Sequence, residues 1–278
     1  MPEAETPPQR IYRHTLPVRL AHWTTVLCLP ILVMSGLQIF NAHPALYWGE
    51  RSDRDKALLR IDAVGSDDGT LIGVTTLFGV AVETTGVLGV STDSAGHTRH
   101  RGFPAWATLP GERWLAMGRR WHFFFAWIFV VNGLLFAAYS ATGRHLWRDL
   151  LPMWTDLRRL GRSLADHARF RHPTGDAAAR YNALQRFAYT GVIFGLGPLI
   201  ALTGLAMSPR LDAAFPWLVP IFGGRQSART IHFVASFAFI GYVAVHVAMV
   251  AVTGVWNNVR SMITGWYRLP TPRHGARP

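Results

Sequence analysis

Charged residues vanish from four stretches of the chain. Residues 20–40 (LAHWTTVLCLPILVMSGLQIF), 121–141 (WHFFFAWIFVVNGLLFAAYSA), 187–207 (FAYTGVIFGLGPLIALTGLAM) and 230–254 (TIHFVASFAFIGYVAVHVAMVAVTG) contain no Asp, Glu, Lys or Arg. At about 1.5 Å per residue each crosses a hydrocarbon core of roughly 30 Å. Backbone in lipid must satisfy its own hydrogen bonds, so each stretch predicts a transmembrane helix. Arg19, Arg120, Arg186 and Arg229 stand at their starts, where long cationic side chains reach the headgroups. A fifth apolar stretch, 71–90 (LIGVTTLFGVAVETTGVLGV), holds four Gly, four Thr and Glu83. That composition suits strands and turns. The pattern therefore predicts an all-α integral membrane fold, a four-helix transmembrane bundle forming one membrane domain over 1–278. Residues 41–120 form a long folded extramembrane loop between the first two helices. A cleavable signal peptide is not expected, because the first apolar segment is too long and lacks a small-residue cleavage site.

Composition agrees with this picture. Only 16% of the residues are charged, against roughly 25% in a soluble domain, and the spans account for the shortfall. A formal charge of +12 could signal nucleic acid, but its distribution is topological. The loop 41–120 carries nine basic and nine acidic residues, while the segment 142–186 carries nine Arg and four Asp. The tail from 255 carries four Arg and no acid, and the N-terminal tail three Arg and two Glu. Basic short segments face the cytoplasm, which places both termini inside, in a bacterial inner membrane. The short loop before the fourth span, with Arg210, Arg225 and Arg229 against Asp212, runs against the rule. The Arg-rich central segment reads as a surface for anionic lipid, helical before Pro173, and not as a nucleic-acid reader. One cysteine, Cys28, excludes a disulfide framework and a cysteine-ligated zinc or iron–sulfur site; it reads as a small buried hydrophobe.

Four of twelve histidines lie in the charge-free spans: His22, His122, His232 and His246. An ionisable side chain at that depth points to function, although any one alone is equally a neutral imidazole bonded to a neighbouring helix. His232 and His246 are fourteen residues apart, about 21 Å along a helix and within about 40° of one face. With four alternating spans His22 and His246 lie toward one membrane face, His122 and His232 toward the other. A fifth span would strand His246. Two imidazole pairs without acidic or cysteine ligands suit two b-type haems, each held between helices by two axial histidines.

RHTLPVRLAHW at the first span, RRWHFFFAWIFVVNG at the second, YNALQRFAY at the third and the His232/His246 helix resemble the bacterial cytochrome b561-type membrane subunits. These are the di-haem cytochromes b of formate dehydrogenase, nickel-iron hydrogenase and thiosulfate reductase. NAHPALYWG is similar to the thiosulfate-reductase-like branch. The resemblance covers all four spans and implies the same ligand pairs, His22/His246 and His122/His232. It implies a quinone pocket near the cytoplasmic haem, with Asn182, Gln185 and Arg19 or His14 as candidate contacts. It also implies a periplasmic molybdenum oxidoreductase as partner, so that the chain is an electron-transfer subunit and not a stand-alone enzyme. The loop 41–120 is far longer than in the formate dehydrogenase subunit, so partner docking does not carry over from that branch.

Several residues keep a second reading. Asn-Ala-Leu-Gln from Asn182 is also a capping-box-like pattern. Arg119 and Arg120 beside His122, and Arg225 and Arg229 before His232, are candidates for haem propionates or for plain interfacial anchoring. Asn132 is expected to bond across helices, and Pro30 and Pro198 are candidate kinks. His43, His97 and His100 lack partners at a ligand spacing. The tails 2–10 and 268–278 read as flexible. A proton-coupled transporter with an intramembrane histidine relay is the alternative from another class. No intramembrane acid and no repeat symmetry between helix pairs supports it. A third reading is an enzyme whose outer haem reduces a small acceptor directly.

Overall fold

The computed structural model describes residues 9–67, 69–93, 95–111, 113–143, 146, 151–168 and 183–269. Among them, four helical segments are long and apolar enough to cross a membrane. These are α1 (Leu16–Phe40), α2 (Leu115–Thr142), the continuous run Ala183–Ala206 and α8 (Arg225–Thr264). Three of them contain a predicted span and extend beyond it, and the third segment starts four residues before its span and ends at Ala206, one residue short of 207. The second starts at Leu115 and not at 121, so the intervening segment ends at 114. The fourth runs from Arg225 through Thr264, well past 254.

Two of the spanning segments depart from regular α-helix. Gly254, where the charge-free stretch ends, has φ +102° inside α8 and turns the helix; glycine adopts that conformation without a Cβ penalty. The third span comprises α4 (Ala183–Thr190), a π-helical stretch Gly191–Leu196 and α5 (Gly197–Ala206). The Gly197 N–H reaches back five residues to Val192 O. Pro198 brings no N–H of its own, so a wider turn here relieves the break that proline imposes.

The described residues fall into two compact units. One comprises residues 1–23, 132–197 and 239–278; the other comprises 24–131 and 198–238. Each unit takes a portion of all four spanning segments.

In the first unit α3 (Trp154–Ala168) is joined to the third span by an ion pair, Arg186 to Asp156 at 3.3 Å. Strand β1 (Arg10–Tyr12) pairs antiparallel with β8 (Trp266–Arg268). The inner ends of both tails are therefore hydrogen-bonded strands. Thr15 Oγ1 meets Tyr139 Oη at 2.8 Å, and Trp23 Nε1 donates to Met262 O at 3.0 Å.

In the second unit the segment after α1 forms strands, as its Thr, Val and Gly content predicts. β2 (Ala45–Leu46), β3 (Leu59–Gly65), β4 (Leu71–Leu77) and β5 (Val80–Glu83) make an antiparallel sheet in that order. β6 (Gly89–Thr92) and β7 (Thr98–Arg101) make a second pair. Phe40, Leu46 and Ile61 are buried together, packed by Leu59, Leu88, Phe103 and Phe233. Removing such side chains from water contributes about 1.5–3 kcal/mol each. The sheet is thus fixed to the end of α1 and to the residue after His232.

The NAHPALYWG segment also grips the first turns of α8. Gly49 N donates to Ser227 Oγ at 2.7 Å, Gly49 O accepts from Gln226 N and Ser227 N, and Thr230 Oγ1 donates to Tyr47 O at 2.6 Å. Gly224 precedes this turn with φ +116°, and a Cβ there would lie 2.5 Å from Gly49 O. Short helices α6 (Pro209–Ala214) and α7 (Leu218–Ile221) lead into it.

Candidate functional site

Each unit contains one pair of the predicted histidines. In the second unit His122 of α2 and His232 of α8 have ring centroids 6.2 Å apart, at 64°. The back of each ring is held by a neighbouring helix. His122 Nδ1 lies 3.1 Å from Leu32 O and 3.1 Å from Ser35 Oγ, both on α1. His232 Nδ1 lies 3.0 Å from Ile200 O and 3.2 Å from Thr203 Oγ1, both on α5. A ring nitrogen facing a carbonyl carries the proton, which leaves each Nε2 as a free lone pair. Glycine provides the room: a Cβ at Gly36 would meet His122 Cε1 at 3.4 Å, and one at Gly204 would meet His232 Cε1 at 3.3 Å.

These supports expose a repeat that sequence reading missed. Residues 30–37 read PILVMSGL and residues 198–205 read PLIALTGL. Proline, hydroxyl residue, glycine and leucine coincide in both, and each segment backs a histidine followed by phenylalanine. The expectation of no symmetry between helix pairs is therefore corrected: α1 serves α2 as α5 serves α8. The aligned S/T-G-L triplets were the available signal, but they are short and read as ordinary small-residue packing.

In the first unit His22 of α1 and His246 of α8 have centroids 6.3 Å apart, at 58°. Trp23 meets His22 edge-on at 5.3 Å, and Tyr242 stacks on His246 at 6.0 Å and 18°. Asn132 Nδ2 donates to Ala21 O at 3.0 Å, the interhelical bond expected of a polar residue at that depth. His22 Nδ1 is buried with no hydrogen-bond partner among the described residues.

Both separations suit one metal ion between two trans imidazoles. With metal–nitrogen bonds of about 2.0–2.1 Å, and each nitrogen about 1.1 Å from its ring centre, the centroids fall about 6.3 Å apart. The same arithmetic keeps the nearest nitrogens of a pair at least about 4 Å apart, beyond direct hydrogen-bond reach. A proton relay therefore has no direct link in either pair. No cluster of three or more His, Cys, Asp or Glu that could close around an ion is present among the described residues. Two axial imidazoles are what an iron already held in a macrocycle requires.

The profile of prokaryotic cytochrome b561 matches residues 13–265. The chain belongs to the prokaryotic cytochrome b561 family. This cytochrome is 36% identical over 248 residues to a putative protein-methionine-sulfoxide reductase subunit, YedZ1, of Azospira oryzae; the match covers 89% of this chain and 93% of that one. It is 29% identical over 178 residues to a probable Ni/Fe-hydrogenase B-type cytochrome subunit of Cupriavidus necator, covering 58% and 72% respectively. No solved structure matches it significantly. The chain is a membrane cytochrome of the b type, an electron-transfer component of an oxidoreductase system, and its cofactor is b-type haem.

The other candidate residues are placed as follows. Arg19 lies in the first unit and donates through Nη1 to Ile263 O, and Gln185 lies on α4 of the same unit. Asn182 lies outside the described residues. Arg120 is exposed on α2, and Arg119 stacks over Phe123 at 5.7 Å. Arg229 donates to His43 O and stacks over Phe40 at 5.4 Å.

Sequence reading also passed over Arg101. It is 7% exposed and donates to Gly111 O (2.6 Å), Gln38 Oε1 (2.6 Å) and Thr108 Oγ1 (2.7 Å). Burial, then the like charge of Arg113, pulls its pKa below the ordinary guanidinium value. Gln38 lies one helical turn beyond Ser35 on α1, and a Cβ at Gly118 of α2 would meet Gln38 Cγ at 2.8 Å. Arg101 thereby ties β7 to the two helices that hold and back His122.

Proposed function

We propose that this cytochrome binds two b-type haems, one at His22/His246 and one at His122/His232, and carries electrons between membrane quinone and a redox partner across a bacterial inner membrane. The observation that carries the reading is the pair of imidazole separations, 6.3 and 6.2 Å, both of which suit a single iron. Haem, when bound, supplies one-electron carriage without bond making. The chain's four imidazoles would hold it, and Leu32 O and Ile200 O fix the tautomer of His122 and His232.

Both termini face the cytoplasm in this reading, so His22/His246 lies toward that side. Gln185, Arg19, His14 and Asn182 are the candidate quinone contacts there. On the other side the sheet-bearing segment 41–114 is the docking surface. The partner is a periplasmic oxidoreductase subunit. The similarity to a protein-methionine-sulfoxide reductase subunit supports a reductase, and the molybdenum class rests on the family resemblance. Arg120 and Arg229 are the propionate candidates.

Stopped-flow mixing of the haem-loaded chain with a soluble quinol tests this. Reduction of both haems is expected, slowed at least tenfold in Gln185→Ala or Asn182→Ala with haem content unchanged. Gentle solubilisation should carry an oxidoreductase along with the chain. Full-rate turnover of quinol with a small acceptor by the isolated chain would overturn the subunit assignment.

A further inference from the structure

Resting on the two-haem reading, the contacts behind the histidines set the two sites apart. Ser35 Oγ lies 2.6 Å from Ile31 O, and Thr203 Oγ1 lies 2.7 Å from Leu199 O. Each hydroxyl thus gives its own proton to the carbonyl four residues back. It can face an imidazole only as an acceptor. The Nδ1–H of His122 is therefore shared between Leu32 O and Ser35 Oγ, and that of His232 between Ile200 O and Thr203 Oγ1. Two acceptors on one N–H draw its proton outward and make the opposite nitrogen more basic. A more basic axial nitrogen stabilises ferric iron over ferrous iron, which lowers the reduction potential. Both ligands of one iron are treated alike, so the two effects act in the same direction. At the other site His22 Nδ1, buried and without a hydrogen-bond partner among the described residues, receives no such polarisation.

We propose that Ser35 and Thr203 are positioning residues that hold the His122/His232 haem at a lower midpoint potential than the His22/His246 haem. With both haems bound, the single electron of the half-reduced protein would rest at the His22/His246 site, and its exchange with the other site would move one electron with no bond or proton changing place. Nothing in the residue types of the four histidines separates the sites. The separation comes from the repeated S/T-G-L segments, which back only one pair.

Redox titration of the purified, haem-loaded chain tests the assignment. The component that survives in His22→Ala identifies the His122/His232 haem, and it is expected to be the lower of two. In Ser35→Ala/Thr203→Val that component should rise, moving the exchange constant between the haems by roughly tenfold, about 59 mV for one electron. The other component should stay in place. Thr203→Ser and Ser35→Thr keep the acceptor and should leave both components unmoved, while the low-spin ferric g values shift only in the Ala/Val variant. The proposal is overturned if the lower component does not move, if both move together, or if the conservative variants move as far. It is also overturned if the surviving component is the higher one. Loss of a haem from the Ala/Val variant would show that the hydroxyls hold the ligands without tuning them, and overturns it too. Fewer than two haems in the unaltered chain contradicts the two-haem reading itself, whatever the potentials.

Discussion

Gly36 and Gly204 leave each imidazole of one pair just enough room, with added Cβ atoms at 3.4 and 3.3 Å from the rings. A branched side chain there must push the ring out of line. Gly36→Val or Gly204→Val should therefore cost the haem at His122/His232 and spare the other, read as half the haem per chain in a reduced-minus-oxidised spectrum; full haem content in both variants would contradict the packing described. Arg101→Met removes the donor to three acceptors around the ends of α1 and α2. The expected loss is at least about 2 kcal/mol, seen as a lower Tm in detergent, and an unchanged Tm would refute it. His43 stacks on Tyr47 with Nε2 3.0 Å from its hydroxyl. Partial burial, then the charges of Arg229 and Arg54, hold its pKa below the ordinary histidine value. The unfolded chain takes up that proton first as pH falls. Its stability contribution is thus complete above about pH 6.5 and is lost as pH drops from there toward the folded pKa. Tm should fall between pH 7.5 and 5, and fall less in His43→Gln; equal slopes would contradict this. At this scale the two histidine pairs were legible, because a titratable group in a charge-free span is costly without a purpose. Their supports were not. Leu32 O and Ile200 O are backbone carbonyls whose use no residue type announces, and Ser35 and Thr203 look like any hydroxyl bonding its own helix.

Helices α1, α2 and α8 were visible from their missing charges, and the strands of 71–90 from their Thr, Val and Gly content. Their ends were not, since Leu115 to Arg120 and Val255 to Thr264 carry polar residues that a charge-based boundary excludes. The grip of NAHPALYWG on α8 escaped notice for a different reason: it runs through Gly49 and Tyr47 backbone atoms. Ser227→Ala leaves the Gly49 N–H without its acceptor, a cost of about 1–3 kcal/mol. Because this turn precedes His232, the variant should lower occupancy or broaden the spectrum of the His122/His232 haem while the His22/His246 haem keeps its line shape. Equal disturbance of both haems would show that the grip does not act locally. Gly254 offers the companion test at the other end of α8. Gly254→Ala imposes a side chain at φ +102°, and the resulting strain should be felt at His22/His246.

Taken as a molecule, the chain is a membrane cytochrome b whose two compact units each carry one imidazole pair. The alternation of four spans predicts those pairs, since a fifth span at 71–90 would put His22, His122 and His232 at one face and leave His246 alone at the other. What lay beyond sequence was the local duplication that backs one pair and not the other. Haem stoichiometry in the purified chain is the most direct test of the two-haem reading. Two b haems per polypeptide are predicted, falling to one in His22→Ala and one in His122→Ala, with different spectra surviving in the two variants. One haem per chain in the unaltered protein, or loss of the same spectrum in both variants, would contradict it.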